Sequence, residues 1–87
     1  MKIDVEGAEP RVMRGALATL AVSRPIVLSE VHDAQLRAVS GSSADAYIAQ
    51  MATLGYRCTL LHEDGTRGET IERCDDARPR NVVFDPR

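Results

Sequence analysis

Lys2-Ile3-Asp4-Val5-Glu6-Gly7-Ala8-Glu9-Pro10 is the stretch on which the fold turns. It reads as a strand over residues 2 to 6 that stops in an acidic, glycine-containing corner and runs straight into a helix. Side chains alternate along a strand, so Ile3 and Val5 share one face, and Asp4 and Glu6 share the other. In an open α/β sheet, ligands lie in the crevice outside the carboxyl ends of parallel strands. Two carboxylates at such an end, before a glycine that permits a sharp turn, have the form of a site. Capping the next helix and solvating the sheet end would call for the same residue types, so the residues alone leave both readings open.

Working outward, Pro10 suits the first turn of a helix, and Glu9 beside it places negative charge where the helix dipole favours it. Val12, Met13, Ala16, Leu17, Leu20 and Ala21 then recur with helical spacing on one broad face. Pro25 predicts the helix end. Ile26 to Val31 reads as a second strand. Its unbroken run Ile26-Val27-Leu28 predicts cover on both faces. Strand, helix and strand of these lengths predict a right-handed βαβ unit with parallel strands. Glu30 and His32 share a parity, so they face one side near that strand's end, beside the ends of Asp4 and Glu6.

Further along, Ala34, Leu36 and Val39 fit a helical turn. Ser42 or Ser43 is placed to cap a second helix carrying Ala44, Tyr47, Ile48, Met51 and Leu54 on one face, with Gly55 as its end. Tyr47 and Met51 are core residues on this reading. Tyr56 to Leu61 reads as a third strand, and Asp64-Gly65 marks a turn. Thr66 to Ala77 is polar and reads as irregular, with Arg78-Pro79-Arg80 a solvated loop. Asn81 to Asp85 is a last short strand closed by Pro86. Four strands and two main helices result.

A chain of 87 residues holds one small domain. At this size only about 60–65% of the unfolded surface becomes buried, so stability is marginal. A net charge of −2 and 3% aromatic residues argue against nucleic acid as a partner. No apolar run approaches the ~18–20 residues of a membrane helix, and no signal peptide precedes the first strand. A start that runs directly into a strand suggests a truncated reading frame or a fragment. Cys58 and Cys74 lack metal-ligand spacing and read as reduced thiols of a cytosolic protein. Gly65-Thr66-Arg67-Gly68 does not lead a strand into a helix, so no dinucleotide fingerprint is present. Asp4 and Glu6 alone do not define a metal site.

Three blocks carry a resemblance. Lys2 to Glu9, then Val12-Met13-Arg14-Gly15-Ala16, then Arg24-Pro25-Ile26-Val27-Leu28-Ser29-Glu30-Val31-His32 resemble the C-terminal half of FkbM-type S-adenosylmethionine-dependent methyltransferases. The likeness extends to Asn81-Val82-Val83-Phe84-Asp85-Pro86. It implies a partial Rossmann-like α/β sheet, with parallel strands, an antiparallel C-terminal strand and helices packed on it. Residues 1–87 would form a single partial domain. The last strand would insert beside the second. The family's N-terminal half, with its first strand and glycine-rich loop, is absent.

The resemblance implies methyl transfer from S-adenosylmethionine to a hydroxyl of a small molecule or sugar. Asp4, Glu6, Glu30 and His32 would be the catalytic residues, with Asp4 also at the cofactor. His32 could take a proton near neutral pH, though a histidine at a strand end is commonly structural. Glu9 reads as a helix-start residue and His62 as a turn residue. The chain alone should bind S-adenosylmethionine poorly or not at all. A second reading is a non-enzymatic α/β module. The unpaired edge of residues 2–6 would then pair with another polypeptide or with a second copy.

Overall fold

The computed structural model describes residues 1–3, 6–74 and 78–87. The elements in order are β1 (Lys2–Ile3), α1 (Glu9–Gly15), α2 (Leu17–Ser23), β2 (Val27–Val31), α3 (Asp33–Ser40), α4 (Ala44–Thr53), β3 (Tyr56–Leu61), β4 (Arg67–Ile71) and β5 (Arg80–Pro86). They form one five-stranded sheet in the order β1-β2-β5-β3-β4. β1 and β2 are parallel, with Ile3 opposite Ser29. β5 lies antiparallel between β2 and β3, so the last strand does insert beside the second.

Register sorts the side chains. Val27 stands opposite Phe84, and Phe84 opposite Cys58. These three join Met13, Leu20, Leu36, Tyr47 and Met51, drawn from all four helices, in one core cluster. The Phe84 ring meets Tyr47 edge-on at 5.4 Å between centroids. The helices therefore pack on a single face. The other face carries a row straight across the sheet, Lys2, Leu28, Val83, Thr59 and Thr70. The expectation that the second strand is covered on both faces is corrected accordingly. Val27, Ser29 and Val31 are buried, but Leu28 faces away from the helices and is 39% exposed.

Three further expectations change. The single helix after Pro10 is two, because Ala16 leaves helical geometry at φ −102°, ψ 13° directly after Gly15, a weak helix former. The turn after Asp33 is a full helix, closed by Gly41 in the left-handed region at φ +63°. The stretch from Thr66 contains β4, paired antiparallel with β3. The Asp64-Gly65 turn returns the chain on itself, with His62 N–H donating to Thr66 O at 2.9 Å. Polar β-formers such as Thr70 suit an outer strand whose side chains are largely in water. Residues 75–77 lie outside the described residues. Cys58 and Cys74 are free thiols and buried; burial pushes the Cys58 thiol up to about 12. No helix among the described residues is long and apolar enough to cross a membrane.

Two capping contacts at the start of α4 give measurable expectations. Ser43 Oγ accepts the Ala46 N–H at 3.0 Å, which resolves the choice between Ser42 and Ser43. Ser43→Ala should lower stability by about 1 kcal/mol in urea unfolding, and Ser42→Ala should not. Asp33 reaches the same helix start, accepting the Ala44 N–H at 2.8 Å and pairing with Arg37 at 2.7 Å. The Ala44 N–H first, then Arg37, hold the Asp33 carboxyl below its ordinary value. A depressed folded-state pKa contributes stability above the unfolded value of about 3.9 and loses it as pH falls through the folded one. Asp33→Asn should therefore be less stable than the parent at neutral pH and draw level with it in acid. A constant difference from pH 7 to pH 2 would contradict this.

Candidate active site at the carboxyl ends of β1 and β2

Parallel pairing brings the two strand ends together. Ile3 is level with Ser29, so β1 and β2 run toward the same end of the sheet, where the turn bearing Glu6 and the start of α3 at His32 follow. Asp4 lies outside the described residues. Glu6 does not continue a strand as the alternation argument required. It sits in a turn, exposed, with φ +51°. A non-glycine residue in that region stores strain of order 1 kcal/mol, and such strain gathers at functional sites.

The corner is held from three sides. Gly7 N–H donates to Glu9 Oε1 at 2.9 Å, and Gly7 O accepts from Ser40 Oγ at 2.6 Å. Gly7 itself has φ +98°, and a β-carbon there would stand 2.3 Å from the Gln35 carbonyl oxygen. Ser40 and Gln35 belong to α3, the helix that begins directly after His32. The corner bearing Glu6 and the strand end bearing His32 are thus fastened to one helix. Glu9 is the first residue of α1, as expected for a helix-start residue, and only 2% exposed. Beneath the same strand ends, Ser29 Oγ and Tyr47 Oη share a hydrogen bond of 2.9 Å. Burial holds the Tyr47 hydroxyl above its ordinary range, with the Ser29 bond pulling the other way.

Glu30 lies on the face away from the helices. It lines a cavity of about 280 Å³ with Lys2, Leu28, Leu61 and Asn81. His32 is not part of that lining. Its Nδ1 is buried and has no hydrogen-bond partner among the described residues. A buried nitrogen without a partner needs a ligand, a water or another part of a protein to satisfy it. Among the described residues no three His, Cys, Asp or Glu side chains gather as a metal site would require. Lys2, Asn81 and Leu61 escaped sequence reasoning, because they converge from three strands and share no local motif. The α3 anchors escaped too, since nothing near Ser40 marks it as a partner of Gly7.

The chain is thus a mixed α/β protein of a five-stranded sheet and four helices, with carboxylates and a histidine around the ends of its parallel strands. Residues 1–58 match the Methyltransferase FkbM domain. The chain belongs to that methyltransferase family, and its fold is compatible with part of a methyltransferase domain. No curated protein and no solved structure matches the chain.

Proposed function

We propose that the chain is the C-terminal half of an S-adenosylmethionine-dependent methyltransferase that methylates a hydroxyl of a small molecule or sugar. The observation that carries this is the family match over the acid-tipped strand, its corner and the second strand. The described residues fit one side of such a site. Exposed Glu6 and half-buried Glu30 can accept hydrogen bonds from hydroxyls, and the unpartnered His32 Nδ1 can accept a proton. No glycine-rich loop between a strand and a helix stands among the 87 residues to cradle the cofactor.

S-adenosylmethionine supplies an electrophilic methyl group. The residues of this chain orient the acceptor. Glu30 accepts a hydrogen bond from a neighbouring hydroxyl of the acceptor on the open face, and His32 takes the single proton of the reacting hydroxyl as its oxygen gains the methyl group. Glu6 stands at the edge of the pocket, and the family resemblance assigns Asp4, which lies outside the described residues, a role at the cofactor. A cytosolic setting, with both thiols reduced, goes with this reading.

Calorimetry should find no micromolar binding of S-adenosylmethionine to residues 1–87, and such binding would overturn the half-domain reading. In-frame sequence upstream of Met1 should encode a strand followed by a glycine-rich loop. The joined polypeptide should then transfer labelled methyl from S-adenosylmethionine, and failure to do so would sink the enzymatic reading.

One observation favours a second reading. β1 lies at the edge of the sheet, paired on one side with β2. A module that recruits another polypeptide would use that edge. Sedimentation would show concentration-dependent association abolished by Lys2→Pro, which removes an N–H from the free edge, since Met1 N and O both face β2 and the next residue's groups face outward.

A further inference from the structure

Glu30 and Asn81 stand directly opposite each other on β2 and β5. Cross-strand partners share a face of the sheet, with their β-carbons roughly 5 Å apart. Both line the cavity of about 280 Å³, which has Leu28 and Leu61 as apolar walls. Glu30 is half-buried and Asn81 exposed. Among the described residues no hydrogen bond or ion pair engages the Glu30 carboxylate or the Asn81 side-chain amide. Small-molecule sites start at about 300 Å³, so a cavity of this size admits a small acceptor or one ring of a larger one.

The chemistry of the pair narrows what enters. A carboxylate only accepts hydrogen bonds, while a side-chain amide also donates them. A hydroxyl has a single proton to donate and lone pairs to accept with. A hydroxyl seated between Glu30 and Asn81 is therefore satisfied both ways, donating to the carboxylate and accepting from the amide. It is not the hydroxyl that is methylated, because the reacting one gives its only proton to His32. His32 follows Glu30 by two residues and is still extended, at φ −131° and ψ 102°, so their α-carbons stand roughly 7 Å apart. Side chains that close serve hydroxyls on adjacent carbons better than hydroxyls at opposite ends of a ring. We propose that the acceptor is a vicinal diol on a ring, with one hydroxyl held by Glu30 and Asn81 while its neighbour is methylated. The inference rests on the methyltransferase reading, names its substrate class and adds Asn81 as the residue that sets it. Leu28 and Leu61 pack against the ring carbons. An acceptor with a lone hydroxyl leaves the pair without its partner, and a site built to bond a hydroxyl rejects an analogue that lacks it. Water reaches exposed Asn81, which limits that rejection to about tenfold.

Asn81 is the only asparagine of the chain, so its side-chain amide gives an identifiable pair of signals in nitrogen–proton NMR spectra. The full chain is titrated with three ring alcohols: a vicinal cyclohexanediol, cyclohexanol, and the cyclohexanediol whose hydroxyls lie at opposite ends of the ring. The vicinal diol should shift the Asn81 signals saturably, with a dissociation constant on the order of millimolar. The other two should bind about tenfold more weakly. Glu30→Gln keeps the shape and removes the charge, and Asn81→Leu removes the amide at similar size. Each should cost the vicinal diol about tenfold and bring it level with cyclohexanol. Where Asn81 is replaced, the backbone amides of Glu30 and Val82 are read instead. Circular dichroism reports whether the variants fold; Glu30→Gln, the smaller change, carries the test if Asn81→Leu does not. Equal shifts from all three alcohols would overturn the proposal. So would the lack of a saturable response to the vicinal diol, or a response that survives both substitutions. The titration contains no S-adenosylmethionine, so its failure is separate from failure of the methyltransferase reading, which calorimetry and methyl transfer report.

Discussion

Gly7→Ala is expected to destabilise the chain by roughly 2–6 kcal/mol, enough to remove much of the stability of a domain this small. Two effects add. The φ of +98° lies where an L side chain is strained, at about 1–3 kcal/mol. The new β-carbon would also stand 2.3 Å from the Gln35 carbonyl oxygen. That neighbour is helical backbone and cannot rotate away, so α3 must shift, at about 1–3 kcal/mol by analogy with overpacked cores. Gly41→Ala is the control. Gly41 also has a positive φ, +63°, but open space where its β-carbon would go. Strain alone should make that change cost about 1 kcal/mol. Urea unfolding of both variants measures the difference. If the two cost the same, the acidic corner is not seated on α3, and the joint placement of Glu6 and His32 loses its support.

Gly7 also shows which parts of the fold were legible in the sequence. That a glycine must follow Glu6 is a local fact, readable from the break between a strand pattern and a helix pattern. That Gln35 leaves it no room is a non-local fact, fixed by how α3 packs. The same division runs through the chain. β3 was readable over Tyr56–Leu61 because a helix-terminating glycine precedes it and a turn signal follows. The antiparallel insertion of β5 came from family resemblance rather than from residue pattern. β4 was missed because Arg67, Gly68 and Glu69 carry no apolar alternation; pairing with β3 makes that segment a strand. The run Ile26-Val27-Leu28 was over-read, since hydrophobic side chains on a strand do not say whether both faces are covered by described helices. At the candidate site, the pairing of the two strand ends was legible in the βαβ pattern. The cavity beside Glu30 was not, because Lys2, Leu61 and Asn81 meet only through the sheet order.

Arg24→Ala is expected to cost about 2–4 kcal/mol, a large effect for a partly exposed residue. Arg24 sits at φ +49°. That geometry is unfavourable for arginine by about 1–2 kcal/mol, so something must offset it. The guanidinium does. Nη1 donates to Leu54 O at 2.7 Å and Nη2 to Gly55 O at 3.0 Å. These carbonyls close α4, at the negative end of its dipole, where a cation is favoured. Hydrogen bonds to a charged group contribute about 1.5–3 kcal/mol each at most, less where water competes. The same guanidinium lies 5.1 Å over the Tyr56 ring, and Tyr56 Oη donates to Pro25 O at 2.8 Å. One side chain thus ties the start of β2 to the end of α4 and the start of β3. Arg24→Lys keeps the charge but not the two-pronged geometry, and should recover less than half of the loss. Arg24→Gly should be about 1 kcal/mol less damaging than Arg24→Ala, because glycine relieves the backbone strain while losing the same contacts. Equal losses for glycine and alanine would mean that the left-handed backbone carries no strain. A loss under about 0.5 kcal/mol for alanine, the usual bound for unexceptional surface positions, would mean that the three elements hold together without this tie. Since β2 delivers Glu30 and His32 to the strand ends, its anchoring at Pro25 bears on the candidate site as well as on stability. Arg24→Ala should therefore loosen the amides of Val27 to Val31 in hydrogen exchange before those of β3 and β5.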